Sequence, residues 1–423
     1  MGNKKITYRR EDIIWIWISI SMALFAAGGS LLPYILPNRI MRMAVCGTAF
    51  GIEVAVILKG MKDLNKNKMF YICMMVLMIG FAIIRSEWTA LNIMLYVMSL
   101  LICVMSVLQI RIDKLAIFVL HIILLLDIVY AIVTVICFLN PQVYLNYFVN
   151  LFPESTSRLT RTYYRSGGIA GLTSHYSTNG MFLAIGFLIS VSQFYKRKKK
   201  AVPFAILFLI ALLMCGKRAH VIFSLASLFV LYYCSQVKKG CLSRWGKILG
   251  MLFLVGCIVT ILYSVAPGLF VFLERFQIEF NDGDVSNGRF KLWRIAGSYF
   301  RKNPILGVGW KHFQKLVTQF GYSPGIYDAH NIYLQLLCET GVFGFITYVI
   351  WFAGMAVKSY NLYTKSIYTN TFEKYLISFS LAYQTFFLLY GLTGNPLYEL
   401  YTFIPYFISC AITIQYSEQF NLC

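Results

Sequence analysis

Tyr327-Asp328-Ala329-His330-Asn331-Ile332-Tyr333-Leu334-Gln335 runs on through Glu339-Thr340-Gly341 into an apolar segment that reaches Val357. A histidine, an asparagine and a glutamate thus stand where a polar loop enters a run long enough to be a membrane helix. Unpaired polar groups are costly in hydrocarbon, so residues of this kind mark an interior face or a site. Asn331, Gln335 and Glu339 recur at i, i+4 and i+8 and share one broad helix face, which must look into the protein rather than at lipid.

Outward from this stretch the chain is of the same character. Of its 423 residues 59% are hydrophobic and only 13% charged, and the mean hydropathy is +0.67. A soluble core of this size cannot bury so much apolar surface. The runs are continuous, whereas a transmembrane barrel alternates with period two. The fold class is therefore an all-α polytopic membrane protein. Twelve spans are expected: Ile13–Leu36, Ile40–Leu58, Met69–Ile84, Ala90–Ile110, Leu115–Leu139, Ile169–Phe194, Val202–Cys215, Ala219–Val237, Ile248–Val265, Asn331–Val357, Tyr375–Leu392 and Leu397–Gln415. The first is too long for a secretory h-region and has no small-residue cleavage site, so it reads as a retained span. Three parts follow: helices one to nine over 1–265, a large loop with short helices over 266–330, and the last three spans over 331–423. The 11 cysteines lie mostly inside apolar segments without a CxxC pair, which indicates neither a disulfide framework nor a zinc site.

The formal charge of +21 sorts by topology rather than as a nucleic-acid footprint. With both termini cytoplasmic, the inner segments Lys59–Lys68, Arg111–Lys114, Lys196–Lys200, Lys238–Lys247 and Lys358–Lys374 all carry Lys or Arg, as the positive-inside rule requires. Two outer segments break the rule. Asn140–Gly168 holds Arg158, Arg161 and Arg165, and Ala266–His330 holds Arg275, Arg289, Lys291, Arg294, Arg301, Lys302, Lys311 and Lys315. A solvated loop docking on anionic lipid is one account of this excess, and an anionic substrate is the other. A further anomaly is Val202–Cys215, whose fourteen residues span roughly 21 Å before the charged corner Gly216-Lys217-Arg218-Ala219-His220. A helix-end Lys217 snorkels to the interface in the ordinary way, whereas Arg218 beside an inward-dipping turn reads as an anion site. In the long loop, Glu274 to Phe280 fits a short amphipathic turn, Asn281-Asp282-Gly283-Asp284 a turn cluster, and Arg289–Arg301 a helix. Gly307-Val308-Gly309-Trp310 is a tight turn, and without a preceding strand its GxG is no dinucleotide motif.

Four segments together resemble the bacterial O-antigen ligase and polymerase superfamily of polytopic glycosyltransferases. They are Arg165-Ser166-Gly167-Gly168 with Gly171-Leu172-Thr173-Ser174-His175; Gly216-Lys217-Arg218-Ala219; Asn287-Gly288-Arg289 through Trp293, followed by Asn303-Pro304-Ile305-Leu306-Gly307-Val308-Gly309; and Ala329-His330-Asn331 through Glu339-Thr340-Gly341. Their order and spacing cover about residues 160–350. The family often has Ser or Thr before the corner arginine, where this chain has Lys217, and the first five spans offer no motif to match.

The resemblance implies a GT-C-like fold and transfer of a glycan from undecaprenyl pyrophosphate to a sugar hydroxyl, outside the cytoplasmic membrane. It implies the membrane lipids, a flippase and a chain-length regulator as partners. The residues suit that chemistry. A departing lipid pyrophosphate gathers negative charge that preorganised cations stabilise in a water-poor site. Arg218 and Arg289 are the catalytic candidates for that task, with Arg165, Lys217 and Arg294 in support, and Arg289 gains from the free N–H groups at a helix start. His330, with an ordinary pKa near 6.5, is the candidate general base for the acceptor hydroxyl. His175 and Asn331 are candidates for sugar contact, and Glu339, more than two turns deeper, for holding a partner helix or Arg218. No metal or other cofactor is expected. Asp127 and Glu53, both inside apolar spans, pair with another helix or relay protons. A polymerase of lipid-linked repeat units is the leading reading, a ligase to a lipid core or protein the alternative. A secondary transporter, the rival of another class, calls for two related halves that this sequence does not show.

Overall fold

The structure, a computed structural model, describes residues 10–28, 31–61, 66–194, 199–237, 288–323, 327–365 and 371–420, with isolated residues between 243 and 264. Most of the expected span Ile248–Val265, and the turns expected at Glu274–Phe280 and Asn281–Asp284, lie outside the described residues. Among the described residues every regular element is a helix. The principal helices are α1 (Arg10–Ala27), α2 (Arg39–Gly60), α3 (Lys66–Ile83), α4 (Ala90–Val107), α5 (Asp113–Leu139), α6 (Glu154–Arg165), α7 (Tyr176–Phe194), α8 (Val202–Cys215), α9 (Arg218–Ser235), α10 (Arg289–Lys302), α11 (Ile332–Lys365), α12 (Thr371–Tyr390) and α13 (Leu400–Gln419).

Helices stand at eleven of the twelve expected spans. By length and composition α2, α4, α5, α7, α9 and α11 suffice to cross a membrane, and the apolar stretches of α1, α3 and α8 are shorter. The protein is thus an all-α polytopic membrane protein. Local chemistry sets several ends: the Asn38 side chain caps α2 on Ile40 N at 2.8 Å, and Thr89 caps α4 on Asn92 N at 3.3 Å. Helix α8 begins with Pro203 in its first turn and stops at Gly216, which takes the left-handed conformation that glycine adopts without cost.

Three expected spans are corrected at their ends. The first helix stops at Ala27, because the chain turns at Gly28 before a short turn that contains Pro33. The sixth begins at Tyr176 rather than Ile169: Gly167 and Gly171 at positive φ take residues 166–175 out of helical geometry. The tenth runs on to Lys365 but is broken at Gly341, with φ 66° and ψ −168°.

Helices α12 and α13 form the buried centre, where α13 packs along α4 and α12, and α12 against α9, α11 and α7. Their contact contains a buried polar ladder, in which the Ser380 hydroxyl lies 2.6 Å from Thr413 Oγ1 and Gln384 Nε2 donates to the same oxygen at 2.9 Å. At one end of the bundle an aromatic cluster closes the core. Trp310 stacks on Tyr398 (centroids 4.6 Å) and meets Trp88 edge-on at 5.3 Å. The start of α4, the loop before α11 and the loop before α13 therefore meet at one place.

Candidate functional site

The corner between α8 and α9 is built from two of the segments singled out in the sequence. A Cβ on Gly216 would lie 2.3 Å from the Gly167 carbonyl oxygen, so the two backbones touch where both residues are glycine. Ile169 N donates to Cys215 O at 3.1 Å, and the buried Asn179 amide donates to Ile169 O at 3.0 Å and to Thr134 Oγ1 at 2.8 Å. The result is a fixed turn that presents Lys217 and Arg218, both half-buried, at the N-terminus of α9. Lys217 Nζ stands 5.2 Å over the Tyr176 ring, a contact that holds an ammonium without neutralising it.

The other two segments interlock in the same manner. The break in α11 at Gly341 leaves carbonyls without helical partners, and the loop after α10 supplies them: Val308 N donates to Cys338 O at 3.1 Å and Gly309 N to Glu339 O at 2.9 Å. On the far side of the break, Val342 N donates to Pro304 O at 2.8 Å. Contact is so close that a Cβ on Gly307 would lie 2.3 Å from the Glu339 carbonyl carbon, and one on Gly341 2.3 Å from Ile305 O. The Glu339 side chain completes the lock. Its carboxylate accepts from Lys311 N at 2.7 Å, Phe313 N at 3.0 Å and Gln335 Nε2 at 3.2 Å. The expectation that Glu339 holds a partner helix or Arg218 is thus corrected: it holds the loop 311–313, because that loop's N–H groups are aimed at it.

His330 sits above this lock with φ 50°, an uncommon conformation for a residue with a side chain, and backbone strain of this sort collects at functional sites. The strain is held by neighbours on several elements. Gln335 Oε1 accepts from Ala329 N at 3.0 Å, Trp293 Nε1 of α10 donates to Ala329 O at 2.9 Å, and the Asn395 amide lies 3.2 Å from His330 N. Asp328 is paired with Lys311 at 3.3 Å and accepts from Gln335 Nε2 at 3.1 Å. Burial lowers the His330 imidazole to about 4, with Asp328 opposing and Arg289, Lys217 and Lys311 adding to the fall. His330 is therefore neutral at ordinary pH, and cations from three separate segments face it.

The structure brings together His330, Arg289, Lys217 and His175 of the residues chosen from sequence. His175 feels both Lys217 and His330, and burial, ahead of these two, lowers it to about 4. Its Nδ1 accepts from Ser177 N at 3.0 Å, so one ring nitrogen serves as the start of α7. Arg289 opens α10 behind Gly288, which has φ 79°, and acts on both Lys217 and His330. Arg218 adjoins Lys217 and acts on it. Asn331 spends its side chain on Leu334 N at 3.1 Å and Leu392 O at 3.3 Å, tying α11 to the loop after α12. Arg165 and Arg294 are exposed. Arg294 stands five residues, about 140°, round the helix from Arg289 and so on another face. Arg161, which sequence reading grouped with Arg165, donates to Leu145 O and Asn150 Oδ1, both at 2.9 Å.

Sequence reasoning did not choose Lys311, Asp328 or the loop 391–399. That loop lines the other side of His330: Ile332 N donates to Gly391 O at 2.8 Å, and Lys311 Nζ lies 5.3 Å over the Tyr398 ring. Its last residue, Glu399, faces Asp328, Lys311 and Lys217. One signal was present, since Glu399 is the only acidic residue between Glu373 and Glu418 and separates two apolar runs. Among the described residues no group of three or more His, Cys, Asp or Glu side chains is arranged to hold a metal ion.

Fold and site together define a polytopic helical membrane protein with a cationic, histidine-bearing pocket at one end of its bundle. Residues 203–349, which contain Lys217, Arg218, Arg289, Lys311, Asp328, His330 and Glu339, match the family model described as O-antigen ligase. That match supports the O-antigen ligase and polymerase superfamily and, with it, an enzyme of glycosyl-transfer type in general. No curated protein matches the chain.

Proposed function

We propose that this protein is a polysaccharide polymerase that moves a growing glycan from undecaprenyl pyrophosphate onto the sugar hydroxyl of a new lipid-linked repeat unit, at the outer face of the cytoplasmic membrane. The observation that carries the reading is the convergence of Lys217, Arg289 and Lys311 on the neutral His330, all within the stretch that matches the O-antigen ligase family. The cations that act on His330 outnumber Asp328, which is paired with Lys311, and such an excess in a partly buried pocket favours a polyanionic group. A pyrophosphate leaving group gains charge as the anomeric bond breaks, so the pocket stabilises the transition state more than the ground state. Arg289 and Arg218 are assigned to the pyrophosphate, Lys217 to its support, and His330 to the acceptor hydroxyl. A flippase and a chain-length regulator of the same pathway are the expected partners.

The test is deletion of the gene from its host followed by sizing of the lipid-linked glycans. Accumulated single repeats are the expected result. Accumulated long carrier-linked chains identify a ligase to another acceptor, and an unchanged profile removes the enzyme reading. His330→Ala, complemented in the same host at matched protein level, is expected to reproduce the deletion profile.

A further inference from the structure

Gln335 is fully buried in the first turn of α11, between the strained His330 and Glu339. Both ends of its amide are in use. Oε1 accepts from Ala329 N at 3.0 Å, while Nε2 donates to Asp328 Oδ1 at 3.1 Å and to Glu339 Oε1 at 3.2 Å. A primary amide carries two N–H groups on one side and an acceptor on the other, and only the N–H side can face two carboxylates. Those carboxylates are themselves joined through Lys311. Asp328 pairs with its Nζ at 3.3 Å, and Glu339 accepts from its backbone N at 2.7 Å. Gln335, Asp328, Lys311 and Glu339 thus close a ring of polar contacts in which Gln335 is the neutral donor between two anions.

The ring bears on His330 through the backbone. Ala329 is held on both sides, its N–H by Gln335 and its carbonyl by Trp293 Nε1 at 2.9 Å. That carbonyl belongs to the peptide that leads into His330, so its orientation sets the direction from which φ 50° turns the imidazole. A residue with a Cβ keeps such a conformation only where its neighbours over-determine it. Trp293 lies one turn after Arg289 on α10. The same peptide is therefore tied to the helix that opens with the arginine.

We infer that Gln335 is a positioning residue for the glycosyl transfer: it holds His330 on the acceptor hydroxyl by fixing the peptide before it and by donating to Asp328 and Glu339 at once. The inference rests on the polymerase reading given above. Gln335→Met fills the space and makes none of the three bonds. Gln335→Glu keeps an acceptor for Ala329 N but, when ionised, offers no donor and sets a third negative charge against Asp328 and Glu339. Asp328→Asn added to Gln335→Glu exchanges amide and carboxylate, so that position 328 donates to position 335 and the total charge of the ring is unchanged.

The experiment uses the full chain purified into lipid vesicles, with the lipid-linked glycan extracted from membranes of a host lacking this protein, and reads the rate of extension per folded molecule. Gln335→Met is expected to lower kcat about tenfold or more, toward the roughly 100-fold that a misplacement of about 1 Å costs. KM for the lipid-linked glycan is expected to stay within about threefold, because the cations assigned to the pyrophosphate remain. Gln335→Glu is expected to lose at least as much rate. The double variant is expected to regain about tenfold of it, a coupling specific to neighbours that a general loss of stability does not produce. Melting temperatures above the assay temperature show that the variants fold, and where Gln335→Met does not, the other two decide. Gln335→Met with kcat within about threefold of wild type, or a double variant no faster than Gln335→Glu, overturns the role while leaving the polymerase reading standing. A folded wild-type protein that transfers no glycan overturns that reading and this inference with it.

Discussion

The segment from Arg165 to Gly341 and the five helices α1–α5 are built on opposite principles. In the first, helices are repeatedly stopped by glycines at positive φ, and the freed backbone groups are claimed by another segment: Gly216 against Gly167, Gly307 against Glu339, Gly341 against Ile305. In the second, helices are long, glycines such as Gly47 and Gly51 have nothing within 4 Å of an added Cβ, and the interior is held by apolar contact. The difference explains where motifs are found. Recognisable residue patterns occur where the backbone leaves the helix and must be satisfied in one particular way. A continuous helix in lipid accepts many sequences.

Alanine at the interlocked glycines gives the sharpest contrast. Gly307→Ala or Gly341→Ala drives a methyl into backbone that cannot yield and imposes left-handed φ on a residue with a Cβ. Displacing His330 by about 1 Å is enough to cost on the order of 100-fold in rate, so both variants are expected to make no detectable polymer in a host lacking the wild-type gene. Gly47→Ala and Gly51→Ala are expected to leave chain length unchanged and to raise thermal stability slightly, because alanine is the better helix former by about 1 kcal/mol. Loss of polymer from the α2 variants would erase the distinction between the two regions.

Within the site region, two of the three arginines of α10, Arg289 and Arg294, separate a pocket role from a solvated one. Arg289→Ala is expected to lower the rate by about 100-fold or more, the scale for removing one preorganised partner of transition-state charge. Exposed Arg294 is expected to tolerate alanine within about twofold, as surface positions do. In vitro rates at saturating donor check both.

Glu339→Gln comes next. The amide has one acceptor oxygen where the carboxylate uses two, so one of the N–H groups of Lys311 and Phe313 loses its partner. A buried unpaired donor costs about 1–3 kcal/mol. The melting temperature in detergent is expected to fall, with a smaller loss of rate than at Arg289.

The comparison also shows how much could be read from the chain. The helical class and the positions of eleven helices followed from apolar run length, and charge placed against topology singled out Arg289 and the corner at Arg218. That Arg289 and Lys217 act on His330 was not legible there, because it depends on how segments distant in the chain fold together. The breaks did not follow, because an apolar run looks the same whether its first seven residues are helical, as at Ile13, or extended across a corner, as at Ile169. Glu399 was passed over for a related reason. Its neighbours in sequence are apolar and tyrosine-rich, and only the folding of loop 391–399 against Ile332 carries it to Lys217 and Lys311. Similarly, Asn331 looked like a sugar ligand because its use as a cap on Leu334 and a tie to Leu392 depends on a partner sixty residues away.

The smallest effect is expected in α5, where the comparison is most easily broken. Asp127 is fully buried, and neither carboxylate oxygen has a hydrogen-bond partner among the described residues. Glu53 in α2 is in the same position. A polar side chain that makes no bond contributes nothing that substitution can remove, while its burial carries a cost. Asp127→Asn keeps the shape, which matters because a Cβ on Gly186 would lie 3.0 Å from the Asp127 Cβ, and it is expected to change the free energy of unfolding by no more than about 1 kcal/mol in either direction, read from the melting temperature. Polymer length is expected to be unchanged. If instead Asp127→Asn keeps its stability and loses polymer, the buried carboxyl is moving a proton, and the N-terminal helices share in the chemistry that the glycine-rich half otherwise performs alone.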